Sequence, residues 1–318
     1  MSGEGLGLTV AVALGQAVLV AVLAPYVLGL TRAVRARLEG RAGRRLGQPW
    51  RDLRKLLRKP PTSPSDASLF FVAAPPVLMA TSLLVAIAAP FVATTSLAGE
   101  ADLIIVVGLL LLGTVALALA GLDTGTAFGG MGASREMMIA ALVEPTLLLS
   151  VFALSVRVGS TDLATIVTAG ATDPASVFTP ASALAAAALA IVTLAECGRV
   201  PVDNPSTHLE LTMVHEAMVL EYSGRDLALV EWASALRLTI LLGLLANLFA
   251  PWGVATELTP AALAVGTAAF VAKVGGLAAV LAAGEVFAAK LRLFRVPELL
   301  AGSFALALLA VLAAAVLG

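Results

Sequence analysis

The sequence predicts an all-α, polytopic integral membrane protein with about eight transmembrane helices. Three observations carry this. The 318 residues are 59% hydrophobic and only 13% charged, with mean hydropathy +0.98. Apolar runs of roughly 20 residues, the length a helix needs to cross a ~30 Å hydrocarbon core, recur along the chain. The Lys and Arg residues fall in alternate loops. A backbone in lipid must satisfy its own hydrogen bonds, so these runs are helices. They are continuous rather than alternating in polarity, which argues against a β-barrel.

In order, the spans read 6–30, 68–90, 102–122, 136–157, 177–196, 231–250, 260–284 and 298–317. The first is long and lacks the basic lead of a cleaved signal peptide, so it reads as a retained helix. Pro60, Pro61, Pro64, Pro90, Pro174, Pro251 and Pro297 punctuate several ends. The whole reads as one membrane domain, 1–318, with a basic loop at 31–67 and an acid-rich loop at 197–230. No internal repeat stands out, which weighs against an inverted-repeat carrier.

Charge sets the orientation. Loops 31–67, 123–135, 197–230 and 285–297 hold seventeen of the twenty Lys and Arg residues, eleven of them in the first. The intervening loops hold none, and Arg157 sits at the edge of one. Positive loops face the cytoplasm, so the chain is expected in a cell inner (plasma) membrane with both termini outside.

Composition also excludes. The basic cluster is a membrane-flanking loop rather than a nucleic-acid surface. The single cysteine, Cys197, rules out an intrachain disulfide framework and an Fe–S cluster held by this chain alone. No P-loop, Rossmann glycine pattern or Ser/Cys–His constellation appears, so self-contained catalysis is not expected.

Ionisable residues at membrane depth are costly and mark pathways. Glu144 lies mid-span and is followed by Pro145, which frees a helix carbonyl. It reads as a proton-relay acid or as an interfacial glutamate paired to a neighbouring helix. Arg135 precedes it as a cation at the cytoplasmic mouth or a topology anchor. Lys273 in span seven needs a partner, for which Glu144 is one candidate. Glu285 ends that span. Arg237 reads equally as functional or as snorkelling to the headgroups.

The segment from Glu196 to Gly224 is acid-rich and holds both histidines. Thr207 to Glu210 has capping-box spacing, and the residues after it suit an amphipathic helix lying on or under the membrane surface. His208, Glu210, His215 and Glu216 as metal ligands is the weaker alternative, since H-E-x-x-H is absent. The basic segment 37–59 suits contact with anionic lipid or a soluble partner.

Several stretches together carry a resemblance: GQPWRDLRKLL at 47–57, AGLDTG at 120–125, GASREMMIAALVEPTLLL at 132–149, RVPVD at 199–203 and EYSG at 221–224. They resemble the complex I subunit 1 (NuoH-like) family. The resemblance is greater to the membrane subunit of hydrogenase-4, formate hydrogenlyase and related energy-converting hydrogenases. It implies an eight-helix heel subunit that couples electron transfer in a docked Fe–S and [NiFe]-type arm to proton or sodium movement. Antiporter-like membrane subunits would be the other partners. No cofactor would sit on this chain; Fe–S clusters and nickel–iron would belong to partners.

By motif position the resemblance implies pathway or coupling roles for Arg135, Glu144, Glu196, Asp203, Glu210 and Glu221; Glu216 in the acid-rich loop and Lys273 and Glu285 in span seven join them on their own charge and position. Arg41, Gln48, Trp50, Asp52, Lys55, Arg199 and Tyr222 would line a quinone chamber or dock the arm. Two departures, NPSTHLELTMVHEAMVLEYSG after Asp203 and GRAGRRLGQ in the basic loop, fall where the chamber would be and favour a hydrogenase-type complex. A quinone-using complex I-like enzyme, a stand-alone secondary transporter and a purely structural anchor remain as alternatives.

Overall fold

The computed structural model describes residues 3–62, 64, 67–94, 102–173, 177–203, 214–288, 291 and 295–317. Its helices are α1 (Gly3–Leu38), α2 (Gln48–Leu57), α3 (Leu69–Ala88), α4 (Leu103–Asp123), α5 (Ala127–Val158), α6 (Leu163–Thr172), α7 (Pro180–Glu196), α8 (His215–Val219), α9 (Gly224–Phe249), α10 (Pro260–Phe287) and α11 (Val296–Leu317). Seven are long and apolar enough to span a membrane. The remaining expected span, α7, has only 17 residues.

Polar side chains set the helix starts. Asp102, Thr126, Asp162, Thr179 and Thr259 each accept a hydrogen bond from a first-turn backbone N–H. Thr126 explains why α5 begins nine residues before the apolar run. Its first turns carry Arg135, which the sequence reading leaves in the preceding loop, and Glu136, at which that reading starts the span. Likewise α1 runs on through Arg32, Arg35 and Arg37 to Leu38.

Helix α9 is the hub. Its apolar stretch is 72% buried, against 22% for α10 and 28% for α11. It packs against α1, α2, α3, α6, α7 and α10, while α4 and α5 pair beside it and α11 covers α5 and α7. The loop ends meet as the charge alternation requires. At the basic end Ser223 hydrogen-bonds Thr62, Ser68 bonds Asp123, and Leu291 N–H donates to Pro201 O. At the other end Ala93 pairs with Ala255, and Asp102 with Asp162.

Three helices carry proline in their interior, and each such proline leaves a carbonyl four residues earlier without its helical donor. Pro25 frees Ala21 O, to which Trp232 Nε1 donates at 2.9 Å. Pro75 frees Phe71 O, to which the Tyr222 hydroxyl donates at 2.8 Å. Trp50 Nε1 donates to the adjacent Val22 O at 3.1 Å. The aromatic donors thus tie α1 and α3 to α2, α9 and the segment before it.

Basic α2 is amphipathic, as expected. Pro49 and Leu53 are buried against α1 and α9, while Arg51, Arg54 and Lys55 are exposed. The helix expected at the membrane surface after Thr207 is different. Residues 207–210, Glu210 among them, lie outside the described residues. The described part, α8, is a buried wedge between α4 and α5. Two glycines admit it: a Cβ on Gly132 would lie 2.9 Å from Val214 O, and one on Gly121 would lie 3.0 Å from Met218.

Candidate functional site

Short α7 is what builds the site. Glu196 at its end accepts a hydrogen bond from Thr114 Oγ1 at 3.3 Å. Thr114 stands nine residues before the end of α4, ~14 Å inside the bundle at 1.5 Å per residue. The irregular segment after Glu196 therefore lies within protein at membrane depth, where non-helical backbone is tolerated only when so enclosed. Arg199, Val200, Val202 and Asp203 are all buried.

Arg237, on the hub helix, closes the site. Its guanidinium forms an ion pair with Glu196 and donates at 2.8 Å to both Leu110 O and Thr114 Oγ1. Such a pair is retained only when its remaining hydrogen bonds are met. Here Nη2 makes these contacts, and among the described residues Arg237 Nε is buried without a partner.

Glu144 lies deeper. It is 7% exposed, and neither carboxylate oxygen has a hydrogen-bond partner among the described residues. It stands within electrostatic reach of Glu196 and Arg237. Pro145 removes the helical donor to Ala141 O beside it. Glu136, two turns nearer the basic end, is within reach of Glu196, Arg237 and Asp203. At the basic end itself, Glu285 takes Arg199 Nη1 at 3.4 Å and Arg35 Nη1 at 3.8 Å, one on each oxygen. The ionisable groups thus form a series from Arg35, Glu285 and Arg199 inward to Glu136, Glu196 and Arg237, ending on Glu144.

His215 faces this series from α8. Its Nε2 lies 3.2 Å from Ser234 Oγ on α9. Burial, reinforced by Arg237 and partly offset by Asp203, lowers its pKa from 6.5 to about 4, so the ring is neutral at physiological pH.

The other candidate residues divide. Lys273 does not pair with Glu144: its ammonium donates to Asn247 Oδ1 at 2.6 Å and Ala250 O at 3.0 Å. The reason is topological, because α10 contacts α1 and α9 and is remote from α5. Lys273 instead closes the C-terminal end of α9, where a cation is favoured. Asn247 in turn donates to Pro90 O and Phe91 O. Gln48 donates to Asp52 within α2. Arg41 pairs with Glu39 at the surface, and Lys55 is exposed. Tyr222 stacks on Phe71 at 4.2 Å. Arg135, Glu216 and Glu221 are half-buried at the basic end. Thr114 carried no sequence signal, being one threonine in an apolar helix.

A cavity of about 240 Å³ lies between α1, α2 and α9, and its lining brings Arg32, Asp52 and Glu231 together among Pro25, Leu28 and Leu53. Among the described residues no three His, Cys, Asp or Glu side chains converge as metal ligands.

Comparison with known proteins gives consistent results. The family model described as NADH dehydrogenase matches residues 10–316. The chain is 38% identical over 258 residues to hydrogenase-4 component C of Escherichia coli, across 81% of this chain and 80% of that protein. It is 33% identical over 296 residues to formate hydrogenlyase subunit 4 of the same organism, across 93% and 95%. It is 31% identical over 244 residues to an NADH-quinone oxidoreductase subunit from Syntrophobacter fumaroxidans, across 71% and 72%. A chain of the membrane-bound sulfane sulfur reductase, an archaeal respiratory membrane complex, shares the fold with TM-score 0.80 at 21% identity, over 96% of this chain and 99% of that one.

Proposed function

The chain belongs to the NADH dehydrogenase family of complex I subunit 1-like membrane proteins, and from that membership we propose that it is the membrane heel subunit of a hydrogenase-4 or formate hydrogenlyase-like energy-converting complex. In this reading electron transfer happens in a docked hydrophilic arm that carries Fe–S clusters and a [NiFe]-type centre. This chain couples it to proton or sodium movement and to antiporter-like membrane neighbours. The basic end, with exposed Arg51, Arg54 and Lys55 on α2, faces the cytoplasm and receives the arm. The chain then lies in the inner membrane with both termini outside.

One observation carries the coupling role: a buried series of ionisable groups leads from the basic end to Glu144, whose carboxylate has no hydrogen-bond partner among the described residues. An isolated buried carboxylate costs too much to persist as an anion without compensation, so it holds a proton or gains a cation or water. Redox events in the arm change the charge near Arg199 and Glu285. The change passes through the Glu196–Arg237 pair and alters the proton affinity of Glu144. The relatives are named as components and subunits, which favours a complex over a stand-alone transporter.

The test is proton or sodium translocation by the intact complex in vesicles. Glu144→Gln should assemble normally and keep electron transfer while translocation falls; unchanged translocation would remove Glu144 from the pathway.

A quinone-using reading is favoured only by the cavity at Arg32, Asp52 and Glu231. Its 240 Å³ falls below the roughly 300–1,000 Å³ of typical small-molecule sites. Quinone-site inhibitors separate the two: insensitivity with intact hydrogen-linked activity supports the hydrogenase-type reading.

A further inference from the structure

A second cavity lies at the opposite end from the charged series. It measures about 650 Å³ and lies between α5, α6, α7, α9 and α11. Its floor is apolar, built from Leu154, Ile166, Leu248, Ala313 and Ala314. Its lining carries one cation and one anion, Arg157 and Asp173. The Arg157 guanidinium donates to Thr179 Oγ1 at 3.4 Å. Thr179 caps the start of α7, so the positive end of that helix lies beside Arg157. Asp173 ends α6, so the negative end of that helix adjoins its carboxylate.

The loops at this end hold no Lys or Arg, and Arg157 stands at the edge of one of them. A cation on the non-basic face, built into a cavity wall, runs against the distribution of the loop charges. Close by, Phe178 and Trp252 stack at 5.6 Å while both stay exposed. Exposed aromatic rings of this kind sit at the headgroup level of a bilayer. The cavity mouth is therefore at the lipid–water boundary.

We propose that this cavity binds a phospholipid with a zwitterionic, primary-amine headgroup. The phosphate sits against Arg157, where planar N–H donors match its oxygens. The ammonium sits against Asp173, and the glycerol and first acyl carbons rest on the apolar floor. The charges of the lining are one positive and one negative, which matches a zwitterion better than a purely anionic lipid. The Asp173 carboxylate accepts hydrogen bonds, which a primary ammonium donates and a quaternary ammonium, having no N–H, cannot. A phosphoethanolamine headgroup fits and a phosphocholine headgroup does not.

The test is lipid retention by the purified intact complex after extensive detergent washing, measured by native mass spectrometry. Wild type should keep about one phosphatidylethanolamine per chain and should not exchange it for added phosphatidylcholine. Arg157→Gln should lower retention at least tenfold. Asp173→Asn should still bind but no longer discriminate between the two lipids. Ala313→Leu, which fills the floor and leaves the lining charges alone, should also lower retention. It keeps the test decisive if Arg157→Gln disturbs assembly. Equal retention in wild type and Ala313→Leu, no bound lipid in wild type, or equal uptake of phosphatidylcholine would each overturn the proposal. Retention is read independently of ion translocation, so the result stands apart from the coupling role.

Discussion

The Glu196–Arg237 pair makes the sharpest prediction, because its structural and functional roles separate in one mutant cycle. Among the described residues the Arg237 guanidinium has one charged acceptor, Glu196, and two neutral ones, Leu110 O and Thr114 Oγ1. Two unit charges about 4 Å apart attract by about 4 kcal/mol at an effective dielectric of 20. Glu196→Ala leaves the buried guanidinium with neutral acceptors only. Breaking a buried pair from one side costs roughly 3–5 kcal/mol. Arg237→Met leaves Glu196 buried with, among the described residues, the Thr114 hydroxyl alone and should cost a similar amount. Replacing both, as Glu196→Leu with Arg237→Met, removes both desolvation costs and should fall within about 2 kcal/mol of wild type. The assay is reversible unfolding of the solubilised protein in mixed micelles, with each variant also carried in the assembled complex for translocation. The stability losses should be strongly non-additive, while translocation should be lost in all three. Additive losses would mean the pair is not an energetic unit, and translocation by the double variant would remove the pair from the pathway.

Other perturbations read other parts of the structure. Since neither oxygen of Glu144 is hydrogen-bonded among the described residues, Glu144→Leu should leave stability unchanged or raise it by about 1–3 kcal/mol in the same unfolding assay. His215 stays neutral in the fold down to pH about 4, whereas the unfolded chain protonates it near 6.5. Its contribution is complete above pH 6.5 and is lost as pH falls toward 4, on the order of 2–3 kcal/mol. His215→Gln should therefore flatten that limb of the melting temperature against pH. Trp232→Phe should strand Ala21 O at a cost of about 1–3 kcal/mol. Pro25→Ala restores the helical donor and should shrink that cost, which a double-mutant cycle measures. Gly132→Val should drive α8 from between α4 and α5, detected as faster proteolysis near Val214.

The spans, their order and the sharing of loop ends were legible in the sequence, because apolar runs and charge alternation are local properties of the chain. So was the placement of Glu144 inside a span, since the apolar run continues on both sides of it. What the acids meet was decided only by tertiary structure. Arg237 balanced between function and snorkelling in the sequence; the hub position of α9 turns it inward to Glu196. Lys273 had Glu144 as a candidate partner; the distance of α10 from α5 gives it Asn247 instead. The length of α7 placed Glu196 at depth, and two glycines on neighbouring helices turned an expected surface helix into a buried wedge. Hydropathy reports the cost of placing each residue in a membrane. Which side chain meets that cost depends on which helices become neighbours, and that is a property of the packed bundle.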